Sequence, residues 1–335
     1  MFHKRMLMKR FLSRLTFAVR VIFVNDPALN TGRQLTSWAH RLGISFEKSR
    51  PFVHLWKNIK EPRLAVRHKI LARGVSKAPM TPQQTETLRE GYARFSVDKI
   101  RNGHDVSVLL VNLWKNRCSG DRFDEDMRWR SKGNDYHALR DCLKADDFLK
   151  HPEIGDFILN DLFLALATHY LGSIPRLGSA MLWWSTANDT TRASQLYHTD
   201  TEDGRQLKFF VNLTEVQPEN GPFTFFPASI SKSIRADLGH DIGRLHDEAV
   251  HRHLSSTKAL PFVGSFGSGV AVDTSNCLHY GSRTRKGERL ILMTQFVPFN
   301  VQRESSTAAP LLDSTRYLDD PIRCLIAQTA NKQNH

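Results

Sequence analysis

The distribution of apolar and polar residues changes near Ala180. Beyond that point, short runs rich in aromatic and β-branched residues alternate with clusters of Asn, Asp, Gly, Pro and Ser. The runs are AMLWWST, SQLYHTD, LKFFVNLTEV, GPFTFFPAS, GVAVDT and RLILMTQFV. Because short runs bounded by turn residues are typical of antiparallel strands, they predict a double-sheet jelly roll, also called a double-stranded β-helix. A polar stretch over roughly residues 235–256 predicts a helical insertion between the strands.

The part of the chain before about residue 175 has a mixed pattern that predicts helices. Residues 81–103 begin with Thr-Pro and end at Gly103, which are start and stop signals of a helix. Residues 135–172 continue the helical pattern, with a break at Pro152 and an end at Gly172. The predicted fold class is therefore α+β, with a helical N-terminal portion packed on a jelly-roll core.

These patterns divide the chain into four segments. They are a basic amphipathic segment (residues 1–30), a mainly helical portion (31–175), the jelly-roll domain (176–300) and a C-terminal tail (301–335). No internal repeat or low-complexity linker separates them, so one compact unit is favoured over independent domains.

The N-terminal segment carries no acidic residue before Asp26. Its apolar stretch, residues 15–24, contains Arg20 and is too short for a membrane span, which needs about 20 mostly apolar residues. On a helix its apolar residues share one face, which suits a helix lying on an anionic membrane surface. Two alternatives are a helix that caps the core and, in a eukaryote, a mitochondrial transit peptide.

The charge balance favours anionic partners. The 335 residues include 47 Lys and Arg against 34 Asp and Glu, a formal net charge of +13. Nucleic acid is disfavoured, because the sequence contains no zinc-finger spacing, RNA-binding aromatic signature or heptad repeat. The four cysteines form no CxxC pair, which favours a reducing compartment. We therefore expect a cytoplasmic protein that acts on a small molecule, with peripheral membrane attachment if the N-terminal segment binds lipid.

The first candidate chemistry is the pair His198 and Asp200 in QLYHTD. A His followed two residues later by an acid is common, and this chain has two more such pairs, at 151/153 and 246/248. Only the pair at 198/200 ends a predicted strand, where residues two apart project to the same face. The alternative is a polar turn in which Asp200 accepts hydrogen bonds from its own backbone.

A second candidate lies downstream in VAVDTSNCLHYGSRTRKGERLILMTQF. His279 follows a predicted strand, and ten residues later Arg289 opens the last apolar run. Two histidines and one carboxylate can occupy one face of an octahedral Fe(II) ion and leave the other positions open. A guanidinium at the start of a strand can hold a carboxylate through two parallel hydrogen bonds.

Five sequence elements at this spacing carry a family resemblance. In order they are QLYHTD, LKFFVNLTEV, ENGPFTFFPAS, LHYGSRT and Arg289. Residues 183–296 thereby resemble the phytanoyl-CoA dioxygenase family of Fe(II)/2-oxoglutarate-dependent oxygenases. The resemblance implies His198, Asp200 and His279 as the Fe(II) ligands and Arg289 as the residue that binds the distal carboxylate of 2-oxoglutarate. It also implies a hydroxylation that releases succinate and CO2.

The sequence departs from the family pattern after Arg289. Many relatives have Ser or Thr two residues beyond the arginine, whereas this chain has Ile291. The second contact to 2-oxoglutarate therefore stays open between Lys208 and Asn212, which share one face of a predicted strand, and Thr294. Two further arginines, at positions 283 and 285, compete with Arg289 on charge alone but lie in a turn-like segment.

A second function class fits the predicted architecture. Jelly rolls also serve as non-catalytic metal-binding or carbohydrate-binding modules, so the fold alone does not establish an enzyme. The presence of all three metal-ligand candidates favours the dioxygenase. Its substrate is not identified by any motif, and the basic charge balance favours an anionic or lipid-linked small molecule.

Overall fold

The computed structural model describes residues 46–117, 139–144, 146–252, 259–303 and 310–331. The basic segment 1–30, with its predicted membrane-surface helix, lies outside these residues. The described residues form two antiparallel sheets with helices, which confirms the predicted α+β class. None of the described helices is long and apolar enough to cross a membrane.

Eleven strands in the described residues build the two sheets. The bounds are β1 Tyr92–Ser96, β2 Arg140–Asp141, β3 Arg176–Thr186, β4 Tyr197–His198, β5 Leu207–Asn212, β6 Thr224–Phe225, β7 Arg244–Leu245, β8 Leu260–Pro261, β9 Ser268–Val272, β10 His279–Tyr280 and β11 Glu288–Val297. One sheet has the order β1-β9-β5-β11-β3-β2, and the other has the order β7-β4-β10-β6-β8. The six predicted runs all contain strands, as the residue pattern predicts.

Ten α-helices complete the described structure. They are α1 Phe46–Lys60, α2 Pro62–Ala72, α3 Pro82–Thr87, α4 Gly103–Arg117, α5 Asp147–Lys150, α6 Pro152–Ile158, α7 Asp161–Leu171, α8 Ala228–Asp237, α9 Asp247–His251 and α10 Pro321–Asn331. Gly172 caps α7 with φ 75°, and Pro152 opens α6, so both predicted boundaries are confirmed.

The larger sheet separates two apolar clusters. On β11, Leu290 and Leu292 pack with the helical side, whereas Ile291 and Met293 pack against phenylalanines near the smaller sheet. Because alternate residues of a strand face opposite sides, every second residue of β11 points between the sheets. We call this second cluster the inter-sheet cluster; its buried members are Phe210, Phe223, Phe225, Phe262, Val270, Val272, Cys277, Ile291 and Met293.

The prediction of one helix over residues 81–103 is wrong. Helix α3 is short, and Gly91 reverses the chain with φ 81° so that β1 can pair with β9. Gly103 begins α4 instead of ending a helix, and a Cβ atom there would collide with the carbonyl oxygen of Val97. The polar residues of β1 gave no clear strand pattern in the sequence. Only the pairing with β9 identifies this segment as a strand.

Two other segments differ from the sequence pattern. The helical insertion begins earlier than residue 235, with α8, and its later part contains β7 and α9. The C-terminal tail ends in α10, whose residues Leu325 and Ile326 are buried against the helical side of the larger sheet. Its apolar positions therefore belong to the core of the domain.

Candidate metal centre

Two short strands bring the histidines of the metal-ligand prediction together. His198 lies on β4 and His279 lies on β10, and the two residues are direct partners in the antiparallel register. Their ring centroids are 4.3 Å apart. Asp200 follows β4 by two residues, so it reaches the same face as His198. The strand pairing thus brings together two histidines that are about 80 positions apart in the sequence.

Three donor atoms converge at this point. The Nε2 atom of His198 lies 3.9 Å from Oδ1 of Asp200, and the Nε2 atom of His279 lies 3.9 Å from Oδ2. All three candidate ligand atoms lie within 4.8 Å of one another. Among the described residues this is the single group of His, Cys, Asp and Glu side chains that could hold a metal ion.

Backbone carbonyls orient both imidazoles. Nδ1 of His198 lies 2.8 Å from the carbonyl oxygen of Leu196, and Nδ1 of His279 lies 2.8 Å from that of Cys277. Each Nδ1–H can therefore donate to a carbonyl, which leaves the Nε2 lone pair directed at Asp200. Such a fixed tautomer is typical of metal-binding histidines.

The protonation states also suit metal binding. Burial lowers the pKa of His198, and burial together with His198 lowers the pKa of His279 to about 3, so both imidazoles are neutral. Burial raises the pKa of Asp200, but Lys208 and the two histidines lower it more, so its pKa lies below the ordinary value. Neutral imidazoles and an ionised carboxylate are the forms that bind metals.

Lys208 is tied to the triad by an ion pair. Its Nζ atom lies 2.7 Å from Oδ2 of Asp200. Burial lowers the pKa of Lys208, yet Asp200 and Glu202 raise it more, so the ammonium form is retained. The structure therefore places the ammonium group of Lys208 against the carboxylate of Asp200, at the margin of the triad.

A turn between β9 and β10 supports two members of the triad. We call residues 273–277 the β9–β10 turn. The backbone N–H of Asp200 donates to the carbonyl of Thr274 (2.8 Å), and the carbonyl of Cys277 accepts from His279. A change in the geometry of this turn would therefore displace both Asp200 and His279.

Asp273 organises this turn. Its Oδ1 accepts from the backbone N–H groups of Ser275 (2.9 Å) and Asn276 (3.2 Å). Its Oδ2 accepts from the hydroxyl of Tyr170 and from Nδ2 of Asn276 (2.7 Å). Tyr170 lies in the last turn of α7, more than a hundred residues earlier, so no local sequence pattern connects it with Asp273. An aspartate directly after a strand is a recognisable turn signal, but it does not reveal the tyrosine.

We expect Asp273→Asn to flatten part of the pH dependence of stability. Burial raises the pKa of Asp273 to about 6, against hydrogen bonds from Tyr170 and Asn276 that lower it. The folded state therefore keeps this proton to a higher pH than the unfolded state. The carboxyl group adds stability that is present below about pH 4 and lost as the pH rises through about 6.

The unfolding free energy of the wild type relative to that of Asp273→Asn should accordingly fall by about 2 kcal/mol from pH 4 to pH 6. Urea denaturation of both proteins across this range measures it. Parallel pH profiles for the two proteins would contradict the raised pKa of Asp273.

Arg289 lies on the interior face of β11. It shares this face with Ile291 and Met293, which belong to the inter-sheet cluster. Arg289 is buried, with 2% of its surface exposed. Its Nη2 atom donates to Oγ of Ser282 (3.0 Å) and of Ser185 (3.4 Å). The guanidinium of Arg289 therefore lies between the two sheets.

The strand register separates the three candidates for a second contact to 2-oxoglutarate. Asn212 pairs with Ile291 and shares its face, two positions from Arg289 along β11. Its Nδ2 atom is buried without a hydrogen-bond partner among the described residues. Thr294 pairs with Phe209 and faces the helical side, away from Asn212.

Arg283 and Arg285, the alternatives to Arg289 on charge alone, lie in different surroundings. Arg283 makes two ion-pair contacts of 2.7 Å with Asp247 and stacks on the ring of Tyr280 at 3.6 Å from its centroid. Arg285 is exposed, and its backbone N–H donates to Glu219. Neither arginine occupies the interior face that Arg289 shares with the inter-sheet cluster.

No protein-family model and no curated protein sequence matches the chain. Similar solved structures include EctD from S. alaskensis with 2-oxoglutarate and 5-hydroxyectoine (16% identity, 70% of this chain and 88% of that chain, TM-score 0.49). Others are SnoK, a carbocyclase from nogalamycin biosynthesis (15% identity, 65% and 84%, TM-score 0.47), and AviO1 from Streptomyces viridochromogenes Tue57 (15% identity, 67% and 99%, TM-score 0.44). Membership of the phytanoyl-CoA dioxygenase family stays a prediction.

Proposed function

We propose that the protein is an Fe(II)- and 2-oxoglutarate-dependent dioxygenase related to the phytanoyl-CoA dioxygenase family, with its two sheets forming a double-stranded β-helix. The observation that carries the proposal is the convergence of His198, Asp200 and His279 within 4.8 Å. Two imidazoles and one carboxylate suit Fe(II) and leave positions open for a co-substrate.

The residues present fit the metal. The two Nε2 atoms face the carboxylate, and the backbone carbonyls of Leu196 and Cys277 hold both rings in the required tautomer. Lys208 donates to the carboxylate of Asp200, and the carbonyl of Thr274 accepts from the backbone N–H of the same residue. The triad is thus preorganised, so little ordering free energy is lost when a metal binds.

The interior face beside the triad fits the co-substrate. Arg289 would bind the distal carboxylate of 2-oxoglutarate, because a buried guanidinium pairs with a carboxylate through two parallel hydrogen bonds. Asn212 supplies an unsatisfied donor on the adjoining strand, so we assign it the second contact. Lys208 is the weaker candidate, since its ammonium already pairs with Asp200.

When bound, iron would supply, with 2-oxoglutarate and dioxygen as co-substrates, the oxidation of a substrate C–H bond, with succinate and CO2 as co-products. The chain itself would hold the three ligands, orient the co-substrate and exclude water from the inter-sheet cluster. We propose hydroxylation as the outcome, as the family resemblance implies.

The proposed activity is tested with iron-loaded protein, 2-oxoglutarate, oxygen and fractionated cell extract. We expect succinate release that depends on iron, together with one product whose mass increases by one oxygen atom. A non-catalytic binding module would retain the metal without releasing succinate. Absence of succinate with every fraction, in protein shown to bind both iron and 2-oxoglutarate, would favour that alternative.

We expect Asn212→Leu to weaken 2-oxoglutarate binding by about ten- to a hundredfold while leaving Fe(II) affinity unchanged. The leucine removes one hydrogen bond to a charged group, a loss of about 1.5–3 kcal/mol. Anaerobic titration of the iron-loaded protein with 2-oxoglutarate measures the change. Lys208→Met is the matched comparison, and it should weaken Fe(II) binding more than 2-oxoglutarate binding. The reverse pattern would exchange the roles of Asn212 and Lys208.

A further inference from the structure

A cleft of about 980 Å³ opens beside the triad. Thr199, Asp200 and Thr201 form the part of its lining nearest the candidate metal site. Helix α8 forms one wall, and Tyr170 at the end of α7 lies on another. A molecule bound in this cleft can therefore reach Asp200 while most of it contacts residues outside the triad.

Every carboxylate that lines this cleft has a partner. Glu90 accepts from Oγ of Ser229 (2.5 Å), and Asp203 lies 2.7 Å from Nε2 of His54. Asp241 lies 3.8 Å from Nη2 of Arg235, and Asp200 pairs with Lys208. Each carboxylate of the lining thus already contacts a basic side chain or a hydrogen-bond donor of the chain.

Four basic side chains in the same lining form no ion pair with a carboxylate of the described residues. In the part of the chain that the structure describes, none of them lies within ion-pair distance of a carboxylate. They are Arg50, Arg89, Arg205 and Lys232. Unpaired cations on several walls of one cleft concentrate positive potential inside it, and this potential attracts anions.

Arg205 is held in place on the cleft wall. Its guanidinium lies 4.9 Å from the ring centroid of Tyr170, and its Nη1 atom donates to the carbonyl of Tyr170 (3.4 Å). The hydroxyl of Tyr170 is in turn bound by the buried Asp273. The orientation of this exposed guanidinium is therefore coupled to the β9–β10 turn that supports the triad.

Lys232 reaches the cleft from helix α8. Ala228, Lys232, Arg235 and Ala236 line the cleft together, because residues three, four and eight positions apart share one helix face. The two alanines leave room beside the lysine, and the lysine side chain is exposed. A charged group entering the cleft can thus contact Lys232 without displacing an existing ion pair.

We propose that this cleft binds a phosphate or diphosphate group of the substrate, with Arg205 and Lys232 as the principal contacts and Arg89 as a further one. A group that carries two or more negative charges matches several cations better than a single carboxylate does, and both Arg and Lys bind phosphate. This inference rests on the proposed function, because the triad would oxidise a carbon near Asp200 while the phosphate stays among the cations.

Binding of inorganic pyrophosphate to the full chain tests the site. The titration is done calorimetrically at low salt and without added iron, since pyrophosphate chelates iron. We expect the double variant Arg205→Gln/Lys232→Gln to bind pyrophosphate at least about tenfold more weakly than the wild type. Added salt should weaken binding to the wild type.

A matched control pair lies in a different cleft. Lys99 and Arg101 are exposed and line a separate cavity of about 810 Å³. The double variant Lys99→Gln/Arg101→Gln removes the same charge, and its pyrophosphate affinity should equal that of the wild type. Equal affinities in both double variants and the wild type would overturn the proposal.

A second arm identifies the source of the phosphate. If vesicles containing phosphatidic acid compete with pyrophosphate in the wild type, the site accepts a lipid headgroup; if they do not, it takes a soluble phosphate ester. Fe(II) affinity, measured separately, should be unchanged in the Arg205→Gln/Lys232→Gln variant. Pyrophosphate binding by a protein that, in separate assays, neither binds Fe(II) nor forms succinate would uphold the cleft site and reject the dioxygenase proposal.

Discussion

Replacing either His198 or His279 with alanine is expected to lower Fe(II) affinity by about a hundredfold or more. Each histidine supplies one of three donor atoms that lie within 4.8 Å of one another. Loss of one ligand leaves a two-ligand site, and altering a mere hydrogen-bond partner of a ligand already costs 10- to 100-fold in many metal sites. Equilibrium dialysis or fluorescence quenching under anaerobic conditions measures the affinity.

Two other histidines of the chain are matched controls. His151 lies 3.7 Å from Glu153, and His246 precedes α9, and both lie outside the metal-binding group. His151→Ala and His246→Ala should bind Fe(II) as the wild type does. If these variants lose as much affinity as the triad variants, the assignment of His198 and His279 is contradicted.

Arg289→Leu is expected to raise the 2-oxoglutarate concentration needed for half-saturation by about 30-fold or more. Truncating one partner of a buried charge pair costs about 2–5 kcal/mol. Arg289 is 2% exposed and shares a face with the inter-sheet cluster, so water cannot replace the lost contact efficiently. Anaerobic 2-oxoglutarate titration of iron-loaded protein measures the change, and Fe(II) affinity should alter little.

Two further variants make this test specific. Arg289→Lys keeps the charge but loses the planar pair of donors, so it should recover only part of the affinity. Arg285→Leu removes an exposed arginine four residues earlier and should leave 2-oxoglutarate binding unchanged. An Arg289→Leu variant with the 2-oxoglutarate affinity of the parent would contradict the role of Arg289.

Much of the strand-rich half could be predicted from local sequence. Runs such as RLILMTQFV are apolar on both faces, because β11 lies in the centre of its sheet with a cluster on each side. His198 and Asp200 stood out because they follow a strand, where residues two apart share a face. Those local rules singled out His198 and Asp200, whereas the assignment of all three candidate metal ligands, including His279, followed from the family resemblance.

Other features depend on contacts that local sequence does not record. The strand β1 was mistaken for helix because its pairing with β9 overrides the helical tendency of the surrounding residues. Asn212 and Thr294 could be separated only by the register between β5 and β11. Tyr170 and Asp273 are 103 positions apart in the sequence, so residue spacing could not predict their hydrogen bond.

The ion pair of Lys208 shows the same limit. Its position on the face of Asn212 was predictable from strand alternation, whereas its contact with Asp200 depends on how the chain turns after β4. The sequence therefore placed Lys208 near the site without assigning its partner.

The most direct test of the central claim is an anaerobic titration of the protein with Fe(II) in the presence of 2-oxoglutarate, followed by visible absorption. A keto acid that binds Fe(II) through two oxygens gives a charge-transfer band. We expect a band that saturates at one iron per chain in the wild type and is lost in His198→Ala, Asp200→Ala and His279→Ala. A wild-type protein without the band, or a band that persists in all three variants, would contradict the proposed iron and 2-oxoglutarate site.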